Sequence, residues 1–317
     1  MSHRLSGPFL ALSAALLVAA PVATRADEGM WTFDNFPASA VNKKFGVNIT
    51  PAWLDHVRKS TVRLSNCTAS FVSPEGLTLT NHHCVESCLA ELSKPGQDRQ
   101  KDGFVAASRA EELRCPTQNA DVLTSIENIT AKVNAATAGL DNKTAGDVRR
   151  KTLTQIEQAC EQAAGTADPR RCESVKLYKG GQYFLYQYKR YDDVRIVFAP
   201  EADIGAFGGD PDNFQFPRWN LDMSLLRVYD GGRPLPTPDF LPIDWSGPDE
   251  NEPVFVSGHP GETKRLLTVA QLEARRGELP LSLMYYSELR GRYLEYARGG
   301  AENARTVAEP LYNIENG

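Results

Sequence analysis

At 317 residues the chain is longer than most single compact domains, and 41% hydrophobic with 24% charged residues is the composition of an ordinary globular protein. The net charge of −5 becomes −7 once residues 1–26, which hold Arg4 and Arg25 and no acid, are set aside. A mildly acidic chain without a basic block gives no support for nucleic-acid binding.

Residues 1–26 read as an export signal. Arg4 supplies the positive start, Phe9 to Val22 is an apolar run short for a bilayer span, and Thr24-Arg25-Ala26 offers small residues for cleavage after Ala26. The mature protein is expected to be periplasmic or secreted and free of the membrane. Export changes the reading of the six cysteines, which in an oxidising compartment suggest three disulfides out of 15 possible pairings. Proximity and local structure favour Cys67–Cys84 and Cys160–Cys172, leaving Cys88–Cys115.

Residues 27–50 are aromatic-rich and suggest an irregular, packed strap. Thr50-Pro51 opens a short helix, with an N-cap and a proline at the first helical position. Ser60–Ser65, Thr68–Val72 and Leu77–Thr80 read as strands, the last two joined by the turn Ser73-Pro74-Glu75-Gly76. The third strand runs out at Asn81, which places His82 and His83 at its end. Asp121–Ala138 and Lys143–Ala164 carry apolar residues at helical spacing, so a helical hairpin insertion is expected at about 120–166. Strands resume at Ser174–Tyr178, Gln182–Tyr191 and Asp193–Phe198, with the tyrosines suggesting a half-exposed sheet. An acid- and glycine-rich loop at 201–220 precedes a strand at Leu221–Tyr229. A proline-rich connector leads to a further strand at Pro253–Ser257. Helices are expected from about Thr263, broken by Pro280 and by Gly299-Gly300. The pattern divides the chain into residues 27–262, rich in β-structure, and a helical segment at 263–317.

The chemistry centres on Cys67-Thr-Ala-Ser-Phe-Val-Ser-Pro-Glu-Gly-Leu-Thr-Leu-Thr-Asn-His-His-Cys84. A strand-end histidine, followed by a cysteine that closes a loop to an earlier strand, is the layout of the general base in trypsin-like serine peptidases. A serine hydroxyl is a weak nucleophile at neutral pH, so an imidazole must take its proton and a carboxylate must fix the imidazole's tautomer. His83, next to Cys84, is the better placed. His82 should point to the opposite side of an extended segment, in a supporting or exposed role. Asp203, Asp210, Asp212 and Asp222 compete as the carboxylate. Asp222 is favoured because it begins an apolar strand, against the bland alternative of an ion pair with Arg218 or Arg227.

Three motifs together resemble the S46 family of bacterial dipeptidyl peptidases: the Cys67–Cys84 stretch, Phe207-Gly-Gly-Asp-Pro-Asp-Asn-Phe-Gln-Phe-Pro-Arg218, and Asp222-Met-Ser-Leu-Leu-Arg-Val-Tyr229. Asp27-Glu-Gly-Met-Trp31 and Val256-Ser-Gly-His-Pro-Gly261 fit the same family. The resemblance implies a mainly β fold with helical insertions: a chymotrypsin-like double β-barrel, incomplete here, with the start of an inserted α-helical cap domain at 263–317. It implies a serine exopeptidase that releases dipeptides from free peptide N-termini, with His83 as base and Asp222 as its orienting acid. Asn213 and Phe214 would hold the substrate's α-amino group, since an amide carbonyl can accept from an ammonium. Peptides are the expected partners, with a homodimer in the full-length form, and no cofactor or metal is expected. Phe214 stands where the family usually has Trp, and Trp219-Asn-Leu221 replaces the more usual His-Thr-Gly.

The family's nucleophilic serine lies in a Gly-Asn-Ser-Gly-type loop, and no such loop occurs among these residues; Ser246 and Ser257 have the wrong surroundings. An N-terminal portion of a longer enzyme is therefore expected, inactive by itself for want of nucleophile and oxyanion hole. Two other readings are a truncated relative that only binds peptide N-termini, and an exported metal-binding protein using His82, His83, Cys84 and Cys88. Adjacent ligands in one extended segment converge poorly on a tetrahedron, which disfavours the second.

Overall fold

In a computed structural model, residues 30–65, 67–165, 170–205, 215, 217, 219–259 and 267–317 are described. The export signal lies outside them. Two compact units are distinguished, Met1–Pro37 and Ala38–Gly317. In the first, among the described residues, a 3-10 turn at Phe33–Asn35 is flanked by Trp31 and Phe36, whose rings meet edge-on at 5.7 Å.

In the second unit, helices α1 (Ala38–Phe45) and α2 (Pro51–Ser60) lead into strands β1 (Thr61–Leu64), β2 (Thr68–Phe71) and β3 (Leu77–Thr80). The capping read from Thr50-Pro51 is present: the Thr50 hydroxyl accepts from the Trp53 amide at 3.1 Å. Next come α3 (Glu86–Leu92), α4 (Arg99–Asp102), β4 (Phe104–Val105), β5 (Leu113–Arg114) and β6 (Ala120–Asn128). Helices α5 (Thr130–Thr137) and α6 (Asn142–Ala164) pair off before β7 (Arg170–Leu177), β8 (Gln182–Tyr191) and β9 (Asp193–Ala199). The turn α7 (Ala202–Gly205), β10 (Ser224–Asp230) and β11 (Arg233–Pro234) follow, and the long helices α8 (Val269–Ala297) and α9 (Ala301–Asn316) come last.

Among the described residues all these strands join one antiparallel sheet, in the order β4-β9-β10-β3-β2-β1-β6-β8-β7, with β11 on β10 and β5 on β9. The fold is thus mixed, a large antiparallel sheet with helices, rather than mainly β. Its main core gathers Val62, Phe71, Leu89, Ile196, Leu226 and Val228 from the sheet and α3. Gly76 must be glycine. Its φ is +68°, and a Cβ there would stand 2.6 Å from the Val228 carbonyl oxygen of the neighbouring strand.

Several expectations are corrected. Residues 120–128 form a strand, not the start of a helix. Val122 and Ile126 stand at helical spacing, but pairing with β8 makes a strand of them, and a register shift between Leu123 and Ser125 puts them opposite Lys189 and Tyr186, on opposite faces. The pairing also satisfies Asp121, buried at 2% exposure, which accepts from Arg190 twice at 2.9 Å and from Arg171 at 3.1 Å. The helical hairpin therefore begins at Thr130, and it packs over a second core of Ile129, Val133, Ile156 and Leu185. Three of the tyrosines of β8, Tyr183, Tyr186 and Tyr188, are buried rather than half exposed, with Tyr188 at 1%, while Tyr191 at the strand end is partly buried. Pro253–Ser257 joins no strand of the sheet, and Ser257 instead bonds Thr61 side chain to side chain at 2.9 Å. Pro280 does not break α8. No residue of that helix is buried, so the Arg276 carbonyl that loses its partner to Pro280 can turn to water.

All three expected disulfides are formed, Cys67–Cys84, Cys88–Cys115 and Cys160–Cys172, and no free cysteine remains. Such bridges belong to an oxidising compartment, extracellular or periplasmic. Among the described residues no helix is long and apolar enough to cross a membrane.

Candidate active site

The register of two strands builds the site. Thr80 at the end of β3 pairs with Ser224 at the start of β10, and Leu79 with Leu225. The residues that leave β3 (Asn81, His82, His83) and those that enter β10 (Leu221, Asp222, Met223) are therefore brought together at one end of the sheet. The histidines do not lie in the extended segment expected after the strand end. His82–Cys84 is a 3-10 turn, closed by the Val85 amide donating to the His82 carbonyl at 2.9 Å. The Cys67–Cys84 bridge ties that turn back to the residue before β2, closing a separation of 17 residues, a cross-link typically worth ~3 kcal/mol. Cys88–Cys115 fixes α3 on its other side.

His83 and Asp222 meet there. The His83 Nδ1 lies 3.0 Å from Asp222 Oδ2 and 3.2 Å from Oδ1, and the His83 backbone amide donates to Oδ1 at 3.1 Å. The Asn81 side-chain amide donates to Asp222 Oδ2 at 3.0 Å and to its backbone carbonyl at 3.2 Å. A carboxylate only accepts, so Nδ1 carries the proton toward Asp222, and Nε2 is the nitrogen left with a lone pair. The imidazole is 49% exposed and its acid 14%. The Asp222 hydrogen bond lifts the His83 pKa above its ordinary value; partial burial opposes this, and the charges of Asp222 and Glu86 add to it. Burial pushes the Asp222 pKa up, but the hydrogen bonds from the His83 ring and backbone, the His83 charge and Asn81 outweigh it, leaving the carboxylate below its usual range.

Of the competing acids, Asp203 is exposed on α7, while Asp210 and Asp212 lie outside the described residues, as do Asn213, Phe214 and Arg218. The alternative of an Asp222–Arg227 ion pair is overturned: Arg227 Nε donates to Glu112 at 2.9 Å, and the Tyr229 hydroxyl donates to the same acid at 2.7 Å. Ser246 donates to Asp244 at 2.7 Å and Ser257 is engaged with Thr61. One nitrogen of His83 and the sulphurs of Cys67 and Cys84 all lie within 4.8 Å of one another. Both sulphurs are spent in the bridge, and Cys88 in another, so the metal-binding reading finds no thiolate here.

Of the two roles expected for His82, supporting or exposed, its full burial rules out the second. Its Nδ1 lies 3.6 Å from Glu86 Oε1, and neither ring nitrogen has a hydrogen-bond partner among the described residues. Asn81 and Glu86 were missed by sequence reasoning. The signal for Asn81 was its place at the strand end beside the histidines; for Glu86 it was the four-residue step from His82 on entering a helix.

This geometry can be set beside known proteins. A profile of the peptidase S46 family matches residues 26–317. The chain belongs to the peptidase S46 family. It is 30% identical over 266 residues to dipeptidyl-peptidase 7 of Capnocytophaga gingivalis, which covers 77% of this chain and 36% of that protein. It is also 30% identical over 286 residues to dipeptidyl-peptidase 7 of Porphyromonas gingivalis, covering 83% and 39%. Against the Asp/Glu-specific dipeptidyl-peptidase of Shewanella putrefaciens the identity is 30% over 281 residues, covering 83% and 38%. This S46 chain thus spans well under half the length of these relatives. Among solved structures it matches DPP11 of Porphyromonas endodontalis in complex with the dipeptide Arg-Glu, with a TM-score of 0.78 at 23% identity, over 92% of this chain and 45% of that one. DPP11 of the same organism in complex with substrate matches at 0.74 and 24%. These two likenesses show the fold.

Proposed function

We propose that this chain carries the base and the orienting acid of a serine exopeptidase that releases dipeptides from the free N-terminus of peptides. The His83–Asp222 contact, placed by the β3–β10 register within an S46 chain, carries the reading. His83 takes the proton of a nucleophilic serine through Nε2, and Asp222 holds the Nδ1 proton and steadies the imidazolium that forms. The serine and the oxyanion donors come from outside residues 1–317, since no Gly-Asn-Ser-Gly-type loop occurs within them. Asn213, with Phe214 beside it, receives the substrate's ammonium, and the names of the curated relatives support dipeptide release. In this reading residues 27–262 belong to a chymotrypsin-like double barrel, 263–317 open a helical cap, and residues 1–26 direct export, which the three disulfides favour.

The test is made on the full-length protein with a dipeptidyl amide as substrate. His83→Ala is expected to abolish turnover, a fall of about 10,000-fold or more, and an N-acetylated substrate should go uncleaved. Turnover retained by His83→Ala would refute the assignment.

A further inference from the structure

The base and the acid are joined by a second route, through the histidine that the mechanism does not use. His82 is fully buried, with the Glu86 carboxylate, itself 5% exposed, 3.6 Å from its Nδ1. Its other boundary is the backbone of Gly205. A Cβ placed on Gly205 would lie 2.7 Å from both Cδ2 and Cγ of the His82 ring, far inside contact distance, so the imidazole rests directly on the peptide chain at the end of α7. Gly205 itself is buried, and its φ does not lie in the left-handed region; glycine is required there by the ring and not by the backbone.

From Gly205 the route continues to the acid. The Leu221 amide donates to the Ile204 carbonyl at 2.8 Å, and Leu221 is covalently joined to Asp222. His83, His82, Gly205, Ile204, Leu221 and Asp222 thus form a closed ring of covalent, van der Waals and hydrogen-bond contacts, with the His83–Asp222 bond as its last link. In a 3-10 turn successive side chains diverge by about 120°. A ring clamped at His82 therefore fixes the direction in which His83 leaves the turn.

We propose that His82 is a positioning residue: wedged between Glu86 and the Gly205 backbone, it sets the separation of the base-bearing turn from the acid-bearing strand entry and holds His83 in register with Asp222. The proposal rests on the reading of His83 and Asp222 as base and acid. A polar ring fits the role better than an aliphatic one because its flat face accepts the close backbone while a nitrogen edge faces the carboxylate. Among the described residues the charged groups that act on His83 are Asp222 and Glu86, so a displaced turn changes both of their effects on its proton affinity.

The experiment uses the full-length protein and a readout that does not depend on turnover. Carbethoxylation of His83 is followed against pH by peptide mass spectrometry, because only the neutral imidazole reacts and His82 is shielded. In the unmodified protein the midpoint should lie above about 6.5. Asp222→Asn serves as the control and should bring it down toward that value. Gly205→Ala, which drives a methyl into the His82 ring, and His82→Leu, which removes the nitrogen edge, should each lower the midpoint by about half a unit or more, and kcat should fall on the order of 10- to 100-fold with KM little changed. A filler of the core would lower the melting temperature and leave the midpoint alone. Folded variants with the unmodified protein's midpoint and kcat therefore overturn the proposal. Should one substitution prevent folding, the other decides. If Asp222→Asn leaves the midpoint unmoved, the base–acid reading fails instead, and the two failures are told apart.

Discussion

His83 meets Asp222 at 3.0 Å, and His56 on α2 meets Asp239 at 2.9 Å, both through Nδ1, yet the two pairs stand in different company. Asp239 is 32% exposed and lies in the proline-rich connector; the histidines do not make the difference, since His56 is 39% exposed and His83 49%. Asp222 is half as exposed, and its carboxylate takes the His83 ring, the His83 amide and the Asn81 amide at once. The distances are nearly equal. What differs is how many donors hold the acid still and how far water is kept from it, and those decide whether a carboxylate can fix a tautomer. A pair that shares its acid with water contributes at most ~1 kcal/mol and orients nothing.

The largest expected effect separates the pairs directly. In the full-length protein Asp222→Asn should lower kcat on the order of 10,000-fold, because an amide at that position no longer enforces the Nδ1 proton. Asp239→Asn should change kcat by less than about 2-fold and stability by under ~1 kcal/mol. Comparable losses from the two substitutions would erase the distinction. Steady-state kinetics and a urea melt of each variant measure both halves.

A smaller effect follows from pH. The His83 pKa is raised, so the protonated form is favoured in the fold, and its contribution to stability is full below about 6.5 and lost as pH rises through the folded value. The Asp222 pKa is lowered, so its contribution is present above about 3.9 and lost as pH falls through the folded value. Catalysis needs the neutral imidazole and should run opposite to the first of these. The acid limb of kcat/KM should have its midpoint above about 6.5, and Asp222→Asn should move whatever activity remains to lower pH. A limb centred below about 6 in the unmodified enzyme would show that Asp222 does not hold His83 as the geometry indicates.

How legible this was depended on the length scale of the signal. The strands β1 to β3 and β8 to β10 could be read because alternation, turn residues and caps agree there, as at Ser73-Pro74-Glu75-Gly76 and Thr50-Pro51. The residues 120–128 could not, since Val122 and Ile126 stand at helical spacing and only the pairing with β8, through a register shift between Leu123 and Ser125, makes a strand of them. Nor could the uninterrupted α8, because Pro280 reads as a breaker unless its helix is known to be solvated. At the site, His83, Asp222 and the cysteine pairs were visible as motif residues. Asn81 and the burial of His82 were not, because the first depends on Asp222 and the second on Gly205, each brought up from a distant part of the sequence. Residue types announce the groups that react; what surrounds them is set by register.

The least of the expected effects bears on why Asp222 is so well held. Asn81 donates to both its carboxylate and its backbone carbonyl, a pair of contacts that Asp239 has no counterpart for among the described residues. A hydrogen bond to a charged group is worth ~1.5–3 kcal/mol, but Asn81→Ala leaves Asp222 with both donors of His83, so less than the full amount should be lost. The expected fall in kcat/KM is about 10-fold, or ~1.4 kcal/mol, with the His83 midpoint moved only slightly. The Asp222 pKa should rise for want of a donor, which brings the loss of its stabilising contribution to a higher pH, and an acid-unfolding titration should show the variant unfolding earlier on the way down. If Asn81→Ala instead matched Asp222→Asn in size, the amide would be setting the direction of the carboxylate rather than adding to its support, and the three donors could no longer be treated as independent.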